Sequence, residues 1–205
     1  VRFVNDCSNK KERIEKMKKE VLLGMSGGVD SSVSAILLQK QGYEVIGCTM
    51  KLWNPKKNDE RKNKEIDDAK KVCEKLGIKH FVFDYENTFK TCVVNNFICE
   101  YENARTPNPC IECNKYLKFG ELLKKAKELE CDFLATGHYA RIVFSEKYNR
   151  YVLKKSEEEK KDQTYFLYSI PKEELKYILF PLQSYKSKQE IRDIAKEYGL
   201  NVSEK

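Results

Sequence analysis

The sequence predicts an α/β fold: a Rossmann-like parallel sheet flanked by helices, followed by the start of a smaller, mostly helical region. Three observations predict it. Short β-branched and aromatic runs alternate with helix-length segments from residue 21 to residue 140, which is the pattern of βα units. Two of the helical segments close on a glycine, Gly42 and Gly77. The first strand runs into the string GMSGGVDSSVSAILL (24–38), with two glycines and several hydroxyls at the junction of strand and helix.

The elements follow in order. Val21–Met25 is an apolar first strand. Ser31–Gln41 is a helix that stops at Gly42. Tyr43–Trp53 is a second strand, rich in β-branched and aromatic residues. Asn54–Glu65 is a charged loop. Ile66–Leu76 is a helix, and Lys79–Tyr85 a third strand. Phe89, Val93, Phe97 and Tyr101 recur at helical spacing, so Thr88–Asn103 is a helix. Two prolines break the pattern over Ala104–Asn114. Tyr116–Leu129 returns to a helix, and Cys131–Ala140 is a fourth strand with a glycine-bearing turn. Arg141–Ser156 alternates like a β-hairpin. Glu157–Ile170 enters a short helix and Pro171–Leu175 begins another. Ser187–Leu200 is amphipathic, with Ile191, Ile194, Ala195 and Tyr198 on one face. Residues 1–16 show no period and receive no role. In such sheets ligands bind beyond the carboxyl ends of the strands. The glycine loop, Met50, the proline loop and Gly137 are therefore expected to converge on one face.

Composition narrows the class. The 205 residues include 39 basic and 32 acidic side chains, a net charge of +7, which permits a polyanionic partner without requiring one. No run of about 18 apolar residues is present to span a membrane, and no signal peptide is visible. A cytoplasmic location is expected, and an organellar one is compatible. Of eight cysteines, Cys48, Cys73, Cys92, Cys99 and Cys131 sit in apolar or helical patterns and are expected to be small buried hydrophobes, while Cys7 lies in the leader. The tyrosines and phenylalanines mostly follow core periodicity and are not read as base-stacking platforms.

The glycine string is suited to an anion. The first amides of a helix lack intrahelical partners and face the positive end of the dipole. Gly27 and Gly28 let backbone approach a ligand closely. Ser26, Ser31 and Ser32 add hydroxyls, and together these groups can cradle phosphate oxygens. The competing reading is a tight turn with a Ser/Asp cap. The spacing matches neither G-x-x-x-x-G-K-[ST] nor G-x-G-x-x-G.

The second informative stretch is TPNPCIECNKYLKFG (106–120). Two prolines place Cys110 and Cys113 just before a helix, where the dipole favours a thiolate, and Lys115 and Lys118 add positive potential. A nucleophile fits there. Half a zinc site, a redox pair and two ligands of an iron–sulfur cluster are the other readings of C-x-x-C, and the pair alone does not choose among them.

Taken together, GMSGGVDSSV, TMKLW, RTPNPCIECNKYLKFG, ATGHYAR, KDQTYFL and FPL resemble, in order, the tRNA-specific 2-thiouridylase family, over residues 17–205. The glycine string itself resembles the PP-loop of ATP pyrophosphatases, of the adenine nucleotide alpha hydrolase-like fold. The resemblance implies ATP-dependent replacement of the 2-oxygen of a wobble uridine in tRNA by sulfur. It implies ATP binding by Gly24, Met25, Ser26, Gly27, Gly28, Val29, Asp30, Ser31, Met50 and Gly137, with Asp30 a catalytic residue and the partner of Mg²⁺. It makes Cys113 the nucleophile, acting through a disulfide or by direct attack. Asn108, Pro109 and Cys110 would meet the target base, and Lys161, Asp162 and Gln163 would contact tRNA. Many family members carry aspartate where this chain has Cys110, so Cys110 and Cys113 leave room for a variant that uses an iron–sulfur cluster.

The resemblance further implies a protein that donates persulfide sulfur, from a sulfur relay or a cysteine desulfurase. It places the family's second cysteine beyond Lys205. Residues 17–156 would form the PP-loop ATP-binding catalytic domain, and 157–205 the beginning of a central tRNA-binding domain. Two other readings remain at this point: another PP-loop adenylating synthetase or ligase, and a nucleotide-binding module without turnover. His80, which opens a strand, is expected to be structural. His138 would stand beside the nucleotide, either orienting a loop or taking part in the chemistry.

Overall fold

The computed structural model describes residues 18–55 and 60–200. The leader and Cys7 lie outside the described residues. Strand β1 (Glu20–Gly24) leads through the glycine loop into helix α1 (Val29–Lys40), and β2 (Glu44–Lys51) follows. Helix α2 (Glu60–Leu76) and strand β3 (Lys79–Asp84) complete the first half. Gly42 and Gly77 take positive φ values of 87° and 66°, as their place after α1 and α2 requires. The charged stretch read as a loop to Glu65 is helical from Glu60, where residue-by-residue charge hid a long amphipathic helix.

One helical run continues through α3 (Glu86–Phe89), a wide π-helical turn (Lys90–Val94) and α4 (Asn95–Glu102). A second runs through α5 (Pro109–Glu112), a nine-residue π-helical stretch (Cys113–Glu121) and α6 (Leu122–Glu128). This second run starts seven residues before the expected Tyr116. Pro109 occupies its first turn, and the Asn108 side chain caps it by accepting from the Cys110 amide at 3.1 Å.

Strand β4 is only Phe133–Ala135, and residues 136–140 are loop. The hairpin forms as expected from β5 (Arg141–Ser145) and β6 (Arg150–Lys154). In place of the expected helix from Pro171, residues 172–174 form a turn and Leu175–Tyr177 a single 3-10 turn, and a two-residue strand β7 (Ile178–Leu179), which no sequence signal marked, pairs with β4. Helix α7 (Lys188–Glu197) is capped by Ser187, which accepts from the Glu190 amide.

The five-stranded sheet has the order β3-β2-β1-β4-β7, and every pair is parallel. Helices cover both faces. Val21 and Leu23 of β1 point into a core shared with α1, α2 and α7, including Val33, Ile36, Val72 and Ile191. Leu22 points the other way, against Phe119, Leu122, Leu123 and Leu134. This alternation is the period-two geometry of a strand buried on both sides. After β3 the chain returns to the far side of β1, so β1 and β4 form the topological switch point, where such sheets open a ligand crevice.

Cys48, Cys73 and Cys131 are buried, and burial raises all three thiols, the latter two to about 11. Cys92 and Cys99 depart from expectation: the first is half-buried and the second exposed, because their helical run turns those faces outward. Nor do the tyrosines all follow the core. Tyr101, Tyr116, Tyr148, Tyr151, Tyr165, Tyr168 and Tyr177 are exposed. Among the described residues no helix is long and apolar enough to cross a membrane.

Candidate functional site

A cavity of about 260 Å³ opens at the switch point. Of the residues expected at the nucleotide, Gly24, Met25, Ser26, Asp30, Ser31, Met50 and Gly137 line it. Gln163 joins them, while Lys161 and Asp162 do not. Gly27 and Gly28 lie in the loop and Val29 opens α1, and none of the three is among the lining residues. Cys48, Lys118, Leu122, Thr136 and His138 complete the wall.

The loop geometry explains its glycines. Gly27 has φ +69°, and a Cβ there would lie 2.7 Å from the Glu65 carbonyl oxygen. Both facts demand glycine, because the loop threads against α2. Gly28 meets only the Ser26 hydroxyl, at 3.4 Å, so its Cα face is open. Gly137 presses on the start of α1: a Cβ there would come within 3.2 Å of the Ser31 amide nitrogen. Gly28 caps α1 without a side chain, so the Ser/Asp cap considered from sequence is absent. The first intrahelical bond runs from the Ser32 amide to the Gly28 carbonyl at 3.2 Å. The preceding amides of α1 are left for an anion.

The hydroxyls divide. Ser31 donates to the Gly28 carbonyl at 3.1 Å and accepts from the Ser26 amide at 3.2 Å, which holds the turn closed. Ser32 is fully buried, donates to the same carbonyl at 2.8 Å and does not reach the cavity. The expectation that Ser32 would serve phosphate therefore fails, because its side chain back-bonds into its own helix.

Asp30 is the sole acidic residue among those lining the cavity. Its Oδ1 accepts from the Tyr139 hydroxyl at 2.8 Å, and both carboxylate oxygens accept from Lys188 Nζ. Burial and the Asp30 carboxylate together push the Tyr139 phenol far up, so it stays a donor. Lys188 gave no signal in the sequence beyond being a cation in the first turn of a helix, where the dipole disfavours it. The described residues contain no group of three or more His, Cys, Asp or Glu arranged to hold a metal. One carboxylate beside an anion cradle suits Mg²⁺, which takes few protein ligands and shares phosphate oxygens. Among the described residues Cys110 and Cys113 are not joined by a third His, Cys, Asp or Glu arranged to hold a metal.

His138 is 9% exposed and packs against Phe119 and Phe180. Lys118 Nζ, a pure donor, lies 3.4 Å from Nε2, so Nε2 accepts and Nδ1–H donates to Thr136 Oγ1 at 2.8 Å. Burial, with Lys118 adding to it, lowers the imidazole to about 3, and His138 is neutral. His80 is structural, as expected: Thr49 Oγ1 donates to the Met25 carbonyl at 2.9 Å and meets His80 Nε2 at 2.8 Å.

The thiols differ from expectation. Cys110 is exposed and Cys113 half-buried. Burial pushes the Cys113 thiol up, and the opposing pull of Lys118 does not cancel it. Burial therefore works against the depression expected for this thiol. Lys118 reaches Cys113 through the π-helical stretch. With i→i+5 bonding, residue 118 lies roughly one turn beyond 113, where α geometry would swing it about 140° away. The same stretch thus carries Cys113 at one end and a cavity-lining lysine in its middle. Of the remaining expected tRNA contacts, Asn108 is the helix cap already described and Pro109 begins α5. Asp162 Oδ1 accepts from the Ser156 amide at 2.8 Å and the Thr164 hydroxyl at 2.7 Å, while Lys161 is exposed.

Residues 19–205 match the family described as the tRNA methyl transferase HUP domain. The chain is 50% identical over 194 residues to a tRNA-specific 2-thiouridylase MnmA of Clostridium botulinum, covering 92% of this chain and 53% of that protein. It is 51% identical over 192 residues to tRNA-specific 2-thiouridylase MnmA 1 of Syntrophus aciditrophicus, covering 92% and 51%. The chain therefore spans about half the length of the curated relatives it matches. Among solved structures it resembles the U34-tRNA thiolase NcsA of Methanococcus maripaludis with its 4Fe-4S cluster (TM-score 0.57, 21% identity, 95% of this chain and 64% of that one). It also resembles a 4-thiouridine synthetase–RNA complex with bound ATP (TM-score 0.57, 20% identity, 90% and 42%). At that identity the two structures show the fold alone. The match over nearly the whole chain shows the family: this chain belongs to the tRNA methyl transferase HUP domain family.

Proposed function

We propose that this chain is the ATP-binding part of a tRNA 2-thiouridylase, and that it activates the 2-oxygen of a wobble uridine by adenylation. The observation that carries the reading is the shared π-helical stretch, which joins the Cys113 thiol to Lys118 in the wall of the glycine-loop cavity. Nucleotide and sulfur chemistry would then meet on one rigid element.

In this reading the amides that open α1 bind the ATP phosphates. Asp30 supplies a carboxylate to Mg²⁺, whose charge would offset that of the phosphates. The uridine 2-oxygen attacks the α-phosphorus. An oxygen–phosphorus bond forms, the bond to the bridging oxygen breaks, pyrophosphate leaves and the N3 proton passes to solvent. AMP then stands as a good leaving group on C2. A persulfide carried by a donor protein, from a sulfur relay or a cysteine desulfurase, supplies sulfur. The Cys113 thiolate attacks that persulfide, forming a disulfide and freeing hydrosulfide. Hydrosulfide adds at C2 and AMP departs. In the second route Cys113 takes the outer sulfur of the donor persulfide, that sulfur adds at C2 as AMP departs, and the donor's freed thiolate breaks the resulting S–S bond, leaving sulfur on C2 and Cys113 in a disulfide with the donor. Asn108, Pro109 and Cys110 would receive the extruded base. Lys161 and the rest of 157–205 would contribute to tRNA docking. No step runs through an iron–sulfur cluster.

Calorimetry with Mg²⁺ and a non-hydrolysable ATP analogue tests the first half: wild type binds, and Asp30→Ala weakens binding at least about tenfold. A folded sample that binds no nucleotide refutes the reading. A second reading, a nucleotide-binding module without turnover, is favoured by the raised Cys113 thiol. Release of AMP with tRNA and a persulfide donor, lost in Cys113→Ser, excludes it.

A further inference from the structure

We propose that Tyr165 and Tyr168, with Tyr116 and Lys115, form a stacking platform for unpaired RNA bases beside the cysteine helix. The inference rests on the tRNA reading above and adds to it a surface that neither motif spacing nor family membership assigns.

Tyr165 and Tyr168 are each 68% exposed, the most exposed large apolar side chains among the described residues, and Tyr116 is 39% exposed. The Tyr165 and Tyr168 ring centroids are 6.5 Å apart with their planes tilted by 45°, so the two rings stand side by side and each can offer a face to a base. Lys115 Nζ sits 4.6 Å from the Tyr116 ring. The helical stretch carrying Lys115 and Tyr116 is tied to the turn carrying Tyr165 by Asn114, which donates to the Phe166 carbonyl at 2.9 Å.

The rings are free, yet their backbone is not. The short 3-10 turn Thr164–Leu167 carries Tyr165, and Leu167 anchors it with no exposure. Asn114, 2% exposed and next to Cys113, donates to the Phe166 carbonyl at 2.9 Å. Gln163, which caps the same turn, lines the nucleotide cavity. One turn therefore faces the cavity with Gln163 and solvent with Tyr165, and the partly buried Asn114–Phe166 hydrogen bond ties it to the residue next to Cys113.

The chemistry favours single-stranded RNA over a protein partner. Every base has a π-face, and stacking on aromatics is the usual means of holding unpaired bases. The cations needed for the backbone stand nearby, with Lys115, Lys160 and Lys161 exposed. Of the nearby acidic residues, Glu157 pairs with Arg141, while Glu112 lies beside Lys115.

The test is fluorescence anisotropy of a labelled anticodon stem-loop and of a fully paired duplex of equal length, titrated with the 205-residue chain at two salt concentrations. Thermal melts confirm folding of each variant. Tyr165→Ala/Tyr168→Ala is expected to weaken stem-loop binding at least about tenfold while leaving the salt slope unchanged. Tyr165→Phe/Tyr168→Phe keeps the affinity, and Lys115→Ala lowers the slope. Unchanged stem-loop affinity in the double alanine variant overturns the platform while leaving the tRNA reading intact, and so does an equal loss on the duplex. Self-association of wild type that the alanines abolish without changing RNA affinity assigns the surface to a second copy and overturns it too. Wild type that binds no RNA refutes the tRNA reading and the platform together.

Discussion

Lys188 closes on Asp30 across 158 residues of sequence, donating to both carboxylate oxygens from the first turn of α7. The pair is partly buried, at 27% and 33% side-chain exposure. Ser187 and Glu190 hold that turn by a reciprocal cap, the Ser187 hydroxyl donating to Glu190 Oε1 at 3.0 Å. Helix α7 is thereby tied to the glycine loop at its charged end and to the core at Ile191 and Ala195.

Phosphate and Mg²⁺ would each compete for one member of this pair, with Lys188 freed for the anion when the cation takes Asp30. Lys188→Met is expected to weaken binding of a Mg²⁺–ATP analogue by about tenfold, on the scale of one charge-assisted hydrogen bond. Its melting temperature should fall little, since a partly exposed pair contributes about 1 kcal/mol or less. Calorimetry and thermal melts on the same sample separate the two. Tighter nucleotide binding in the variant would show that Lys188 only blocks the site.

Gly27 and Gly28 should respond oppositely to alanine. Gly27→Ala combines φ +69° with a contact 2.7 Å from the Glu65 carbonyl oxygen, so it should lower stability by about 1–3 kcal/mol in denaturant titration. Gly28→Ala meets only the Ser26 hydroxyl and should melt like wild type. It should still lose nucleotide affinity, because its Cβ would occupy the approach to the α1 amides. Full affinity in Gly28→Ala would remove the phosphate from that face.

Alkylation followed by mass spectrometry reads the two thiols separately. Exposed Cys110 should react faster than half-buried Cys113 at neutral pH. The Cys113 rate should keep climbing above the ordinary thiol range, since burial raises its thiol and only the thiolate reacts. Lys118→Met removes the favourable charge, raises the thiol further and should slow Cys113 alone. Equal slowing of both cysteines would point to a general loosening of the helix.

His138 sets a pH dependence with a definite sign. It is lowered to about 3 when folded, against an ordinary value near 6.5, so between those values the unfolded chain binds the proton and the folded chain does not. Stability should therefore fall as pH drops through that window, by up to about 1.4 kcal/mol per pH unit for this one proton. Urea titrations from pH 7 to pH 4 measure the slope. His138→Gln should flatten it, and an unchanged slope would assign the acid sensitivity to other groups.

Much of the site was legible because it is local. The glycine string, the helix-closing glycines and the proline-bounded cysteine pair all act on their own few residues of backbone. Seven of the ten residues expected at the nucleotide line one cavity, since they cluster around the carboxyl ends of β1, β2 and β4 and the start of α1. The missed residues lack such a local mark. Lys118 and Lys188 are two lysines among many, and Thr136 and Leu122 read as ordinary core.

The sequence by itself determined the order of strands and helices, the helix stops and the phosphate-type turn, because these depend on side-chain period, a missing Cβ and caps within a few residues. Only the tertiary structure decided that Ile178–Leu179 joins the sheet, that Lys188 meets Asp30 and that Cys113 is raised. A two-residue strand has too short a pattern to be seen before its neighbour provides the ladder. An ion pair 158 residues apart exists only once α7 docks on α1. A thiol's protonation depends on which groups exclude water from it, and here desolvation within the packed helix outweighs the pull of Lys118.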